Sequence, residues 1–165
     1  MSIATLVLLA AATLSIGLVA GYVLGYANSV MPGLRHADDR VFVSANQHIN
    51  EAVHNPVFMA LSNIGPAALL AATIVQFFAF DGWLVLVLTL LSLVLYGVTL
   101  VLTLGINVPM NNRLIALGDI HDAAQLAEAR AQFEKPWTLM NTARTWTTSF
   151  SAIAALVAVV LVAAA

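Results

Sequence analysis

Three stretches of this chain set polar side chains at helical spacing. Gln47, Asn50 and His54 recur at intervals of three and four and so share one helix face, since each residue advances about 100°. His48, Glu51 and Asn55 form the adjacent stripe. A second stretch reads Asn107-Val108-Pro109-Met110-Asn111-Asn112. In the third, Trp137, Asn141 and Arg144 recur at i, i+4 and i+7. A histidine can take a proton, amides and a guanidinium can hold an oxyanion, and an indole can stack on a flat ring. His54, Arg144 and Asn50 are therefore the candidate catalytic groups, with His48 as the other base within reach. Asn107, Asn112, Trp137 and Asn141 are the candidate substrate-binding groups.

Arg144 carries the most information. It stands two turns past Pro136 and no charged residue follows it. An arginine near the middle of a membrane span costs at least about 2.5–3.5 kcal/mol. It should therefore face inward, onto carbonyls, amides or an acid such as Glu51. The bland reading is a guanidinium snorkelling to the interface. The amides have a bland reading too, as hydrogen-bonding glue between helices. Convergence of three segments at one membrane level favours a polar cavity.

Other chemistries find little support. His48 and His54 are six residues apart, about 120° off a common face. His36 and His121 lie in connections, and no His-Glu-x-x-His or compact triad occurs, so no metal ligand is assigned and haem is not expected. The absence of cysteine removes thiolate ligands and thiol redox chemistry. There is no glycine-rich phosphate loop and no nucleophile elbow. A net charge of -2 with no basic run argues against nucleic acid.

The elements that must position these groups follow from composition. Hydrophobic residues make up 61% of the 165 and charged residues 8%. So few charges cannot cover a soluble domain, so the apolar surface must face lipid. Four windows suffice to cross a bilayer: about 3–30, 56–80, 83–108 and 139–164. The expected fold is one all-α domain, a four-helix transmembrane bundle with a short interfacial helix in each of the two larger connections. Asp81-Gly82 alone joins the second and third spans, making them antiparallel neighbours. The first connection should be a helix capped by Asp38 or Asp39 and running toward His54, with Pro56 opening the second span. The second, over 119–134, has strong helix composition with charges of both signs.

All Lys and Arg lie on the side of those two connections. The positive-inside rule then places that side in the cytoplasm and both termini outside, in a bacterial cell membrane. The uncharged N-terminal stretch lacks the basic region and cleavage site of a signal peptide, so the first span should be retained. Gly17, Gly21 and Gly25 form a doubled Gly-x-x-x-Gly, expected to pack inside the bundle or, alternatively, to form a homodimer face or a docking face in a larger membrane complex. Gly65-Pro66 should bend the second span or end one of its turns.

The polar stretches also resemble a known family. Met31-Pro32-Gly33-Leu34 with Gln47-x-Ile49-Asn50 and Asn55-Pro56-x-Phe58, then Asn107-Val108-Pro109-x-Asn111-Asn112, then Phe133-Glu134-x-x-Trp137-x-x-x-Asn141-x-x-Arg144, are similar in type and order to the anthrone oxygenase-like small membrane proteins. One departure is Met140, where that family often carries an aromatic. The resemblance implies an oxygenase acting on a polycyclic phenolic or quinone-like substrate with dioxygen and no added organic cofactor. Two other readings stand beside it. One is a non-enzymatic accessory subunit of a membrane complex. The other is a transporter, which is disfavoured because the second half does not repeat the first. The expected partners are the lipid bilayer and a hydrophobic small molecule or lipid.

Overall fold

Asp, Asn or Ser begins four of the long helices, by accepting the free backbone N–H groups of a first turn. The computed structural model describes residues 2–165, and among these no strand occurs. Helix α1 (Ile3–Gly25) starts at Ser2, whose hydroxyl accepts from the Thr5 N–H. It runs through a π-helical turn, Tyr26–Val30, into α2 (Met31–Leu34). Helix α3 (Asp39–Ala52) is capped by the Asp38 carboxylate, 2.8 Å from the Val41 nitrogen. Helix α4 (Pro56–Phe78) starts at Asn55, with Pro56 at its first position. Helix α5 (Trp83–Leu102) continues through a second π-helical turn, Thr103–Asn107, into α6 (Val108–Ala116). Helix α7 (Ala123–Ala163) is capped by Asp122.

Four of these elements are long and apolar enough to cross a membrane: Ile3–Leu34, Pro56–Phe78, Trp83–Ala116 and Ala123–Ala163. They form a ring in the order α1, α4, α5, α7, in which each packs on its two neighbours. The exterior is apolar, with Leu14, Val101 and Ile153 all exposed, while Ser15, Gln76, Ser92, Thr99 and Thr148 are buried. This is an all-α membrane bundle whose polarity runs opposite to that of a soluble domain. Along α5, Thr89, Ser92, Tyr96, Thr99 and Thr103 fall at alternating three- and four-residue steps, giving an inner stripe made of hydroxyls. Ser92 pairs with Ser151 (3.0 Å), and Thr99 with Thr147 (2.7 Å) and Thr148 (3.1 Å), which joins α5 to α7 by hydrogen bonds.

Two apolar clusters bracket the polar region. Leu9, Ile16, Leu69, Ala155 and Val162 belong to one, within the spans. Tyr26, Met31, Phe42, Leu114, Phe133 and Trp137 belong to the other, toward the large connections. There Arg130 ties α7 to the first connection. It donates to Glu134 (2.7 Å), Asp39 (3.0 Å) and the carbonyls of Ala37 and Arg35 (each 2.9 Å), and its guanidinium lies 4.6 Å from the Phe42 ring centre.

Three expectations change in detail, and a fourth is sharpened. The turn between the second and third spans covers residues 79–82, with Gly82 at φ 116°, a conformation only glycine adopts freely. The second large connection holds no separate short helix. Its 119–134 stretch is largely the outer part of α7, which passes through Pro136 because a proline removes one hydrogen bond and no stop signal adjoins it. At 41 residues α7 is about 60 Å long, twice a hydrocarbon core, so its first half extends past the bilayer.

Nor do the glycines of α1 pack inside the bundle. A Cβ at Gly17, Gly21 or Gly25 would meet nothing within 4 Å, because their face turns away from α4 and α7. The close approach is at Gly65 instead, where a Cβ would lie 2.7 Å from Ile16 Cγ1. Finally, Pro66 does not end α4. It leaves the Ser62 carbonyl without its usual backbone donor, and the Tyr96 hydroxyl donates there at 3.0 Å. The Ser15 hydroxyl donates to the adjoining Leu61 carbonyl at 2.5 Å.

Candidate functional site

Each wall of the polar region is set by a helix feature. The π-helical turns at Tyr26–Val30 and Thr103–Asn107 each end two residues before a proline, Pro32 and Pro109. Each adds a residue to its helix and rotates the turns beyond it, a device common at functional sites. One leaves Tyr26 buried, and the other leaves Asn107 buried. The last turn of α3 supplies Asn50, the short link after it supplies His54, and the middle of α7 supplies Trp137, Asn141 and Arg144.

Between these walls lies a cavity of about 240 Å³. Asn50, His54, Trp137 and Arg144 line it, joined by Tyr22, Tyr26, Phe58, Asn63 and Asn111. Its aromatic wall is continuous. Ring centres are 4.8 Å apart for Phe58–Tyr22, 5.3 Å for Tyr22–Tyr26 and 5.5 Å for Tyr26–Trp137, with Phe133 stacked behind Trp137 at 5.7 Å. The cavity reaches the outer surface between α4 and α5, where its lining residues Met59 and Leu104 are 47% and 65% exposed.

Arg144 is 8% exposed and pairs with no carboxylate among the described residues. Its Nε donates to Asn141 Oδ1 at 2.9 Å, and its guanidinium carbon lies 5.4 Å from the Trp137 ring centre, within cation–π range. Asn141 Nδ2 donates to the Val23 carbonyl at 3.3 Å. Asn141 thus stands behind Arg144 and anchors it to α1, with the two terminal nitrogens of the guanidinium left for the cavity. Glu51, the acid considered as a partner, is exposed and makes no such pair.

The remaining groups divide into liners and supports. Trp137 Nε1 donates to Asn111 Oδ1 at 2.6 Å. An indole N–H only donates, so this contact fixes the Asn111 amide, with its nitrogen available to the cavity. Asn107 is fully buried, donates to the Trp137 carbonyl at 3.3 Å and does not line the cavity. Asn112, expected in the cavity, is exposed and outside it; the helical phase of α6 turns Asn111 inward in its place. One Asn50 N–H is engaged by the Asn46 carbonyl at 2.7 Å. The Asn50 carbonyl lies 2.8 Å from His54 Nδ1. A carbonyl only accepts, so Nδ1 carries a proton, and in the neutral ring the lone pair is then on Nε2, the tautomer a general base needs. His48 makes the same bond to Ser44 outside the cavity. Among the described residues no three His, Cys, Asp or Glu side chains stand close enough to hold a metal ion.

Tyr22, Tyr26, Phe58 and Asn111 were missed in the sequence. Two tyrosines at i, i+4 in an otherwise aliphatic span were a usable signal, since a phenol is costly in hydrocarbon and turns inward or to the interface.

The sequence model of the anthrone oxygenase family matches residues 56–157, from the start of α4 to deep in the membrane part of α7. The chain belongs to the anthrone oxygenase family. No curated protein and no solved structure matches it. For an anthrone oxygenase relative the matched stretch is instructive: Asn111, Trp137, Asn141 and Arg144 fall within it, while Asn50 and His54 precede it.

Proposed function

We propose that this member of the family is a membrane-embedded oxygenase. It binds a small, flat phenolic or quinone-like molecule in the cavity and oxidises an activated ring methylene to a carbonyl. One dioxygen is consumed per substrate: the methylene carbon gains one oxygen atom as C=O, and the other leaves as water with the two methylene hydrogens. The observation that supports this reading is Arg144, a buried cation with no carboxylate partner, held by Asn141 and Trp137 at an aromatic-walled cavity.

The division of labour follows from the geometry. His54 Nε2 takes the acidic proton. The Arg144 guanidinium and the Asn111 amide nitrogen stabilise the oxyanion that develops, worth more here than in water because the surroundings are apolar. Tyr22, Tyr26 and Trp137 sandwich the ring. The electron-rich carbanion then reduces dioxygen directly, so no organic cofactor or metal is assigned a step. At about 240 Å³ the cavity falls below the roughly 300–1,000 Å³ of sites for drug-sized ligands, which favours two or three fused rings. The opening between α4 and α5 suits a substrate that arrives dissolved in lipid.

The test is dioxygen uptake by purified protein in lipid nanodiscs supplied with an anthrone. Uptake should match ketone formation one to one. Arg144→Ala should abolish it while melting as wild type, and Arg144→Lys, which keeps charge but loses the planar fork, should lower kcat/KM about tenfold or more. Wild-type protein that takes up no dioxygen would favour the rival, a docking subunit. The open glycine face of α1 is the observation that supports that rival.

A further inference from the structure

A second polar concavity lies on the outside of the bundle and shares no lining residue with the aromatic cavity. It is a groove of about 600 Å³ between the end of α2 and the outer flank of α7, and it is lined by Arg35, Glu134, Lys135, Thr138, Leu139 and Thr142. Arg35 lies 3.4 Å from Glu134, through its Nε. Glu134 is already held by Arg130 at 2.7 Å, and Arg130 also meets Asp39 at 3.0 Å, so the cations Arg35, Arg130 and Lys135 stand against two carboxylates. That leaves the terminal nitrogens of Arg35, and Lys135, without a carboxylate among the described residues. The Thr138 hydroxyl is buried and has no hydrogen-bond partner. Thr142 donates to the Thr138 carbonyl at 2.9 Å. The groove therefore presents an excess of positive charge.

The surface beneath the groove decides the occupant. Lys135, Leu139, Thr142, Trp146 and Phe150 recur at three- and four-residue steps and share one face of α7. Leu139, Trp146 and Phe150 are 63%, 60% and 51% exposed, and the Trp146 and Phe150 rings stack at 5.7 Å. Trp146 stands about 16 Å along the helix from Lys135, into the apolar span. A free anion would use the cations and leave this track unused. A phospholipid uses both.

We propose that this groove is a binding site for an anionic phospholipid of the leaflet on the side of the large connections. Arg35 and Lys135 hold the phosphate. One acyl chain lies along Leu139, Trp146 and Phe150. Glu134 sets Arg35 in place, and Arg130, shared with Asp39, offsets part of its charge. The site is independent of the oxygenase reading and needs no turnover.

The experiment compares the purified protein in nanodiscs of phosphatidylcholine alone and of phosphatidylcholine with phosphatidylglycerol. Phosphatidylglycerol should raise the melting temperature, and one molecule should remain bound in native mass spectra. Arg35→Gln with Lys135→Gln should weaken retention about 30-fold, on a scale of about fivefold per cation at a membrane surface. Both side chains are exposed, so this variant should melt as wild type in phosphatidylcholine alone. Arg40→Gln with Arg113→Gln, which removes two cations elsewhere on the same side, should leave retention unchanged. Three results would each overturn the proposal: no retained phosphatidylglycerol in wild type, equal loss in the Arg40/Arg113 variant, or the same melting shift from millimolar inorganic phosphate in detergent.

Discussion

At the scale of single residues, the site separates groups that touch the cavity from groups that hold them. His54 belongs to the first kind: its Nδ1 is tied to the Asn50 carbonyl and its Nε2 is free. His54→Gln should lower kcat about 100-fold or more at little cost in KM or stability, measured as dioxygen uptake. Asn141 belongs to the second. Asn141→Leu removes the acceptor of Arg144 Nε and one donor to the Val23 carbonyl, which the Thr145 hydroxyl still meets at 3.3 Å. It should raise KM by letting the guanidinium swing, and should lower thermal stability as well; an unchanged KM would mean Arg144 is held by Trp137 alone. The sequence located these groups through helical phase, because a shared face is arithmetic on positions. It did not separate Asn107 from Asn111, or exclude Asn112. The phase there is reset by the π-helical turn at Thr103–Asn107, and a one-residue insertion is invisible to a count at 100° per residue.

At the scale of elements, the bonds that matter are those made where a helix is imperfect. The Tyr96 hydroxyl stands in for the N–H that Pro66 lacks. Tyr96→Phe should cost about 0.5–1.5 kcal/mol of stability, read by steric trapping or denaturant in detergent. The same change in a Pro66→Ala background should cost much less, since alanine returns the backbone donor to Ser62. A cost that stays equal in both backgrounds would detach the hydroxyl from the proline. The glycines make a contrasting pair. Gly65→Val should destabilise by about 1–3 kcal/mol against Ile16, whereas Gly21→Leu should leave the melting temperature of the monomer unchanged. A fall in oligomer mass with Gly21→Leu would identify its face as a contact between copies. The sequence could not rank these glycines, because a Gly-x-x-x-Gly pattern states that close approach is allowed but not whether a neighbour takes it up.

At the scale of the whole molecule, an even number of spans puts both large connections on one side. Labels at His36→Cys and Asp119→Cys should react from the same side of a sealed vesicle, and a label at Ala79→Cys from the other. The positive-inside rule expects the first two to be cytoplasmic. Opposite reactivity of 36 and 119 would break the four-span architecture. This level was the most legible, since charge at the 8% level and four long apolar windows leave few folds open. The path of α7 was less so: nothing around Pro136 says whether the helix on one side of it continues into the other. The inverted polarity of the bundle bears finally on how such a chain can drift over time. Hydrocarbon scarcely distinguishes Leu, Ile and Val, so exterior positions such as Leu14, Val101 and Ile153 are nearly interchangeable letters. An interior group such as Ser92, Tyr96, Asn141 or Arg144 is tied to a named partner and must change with it or not at all. Most of the chain's length is thus nearly silent as a record of descent, and ancestry is written in a sparse set of buried polar letters.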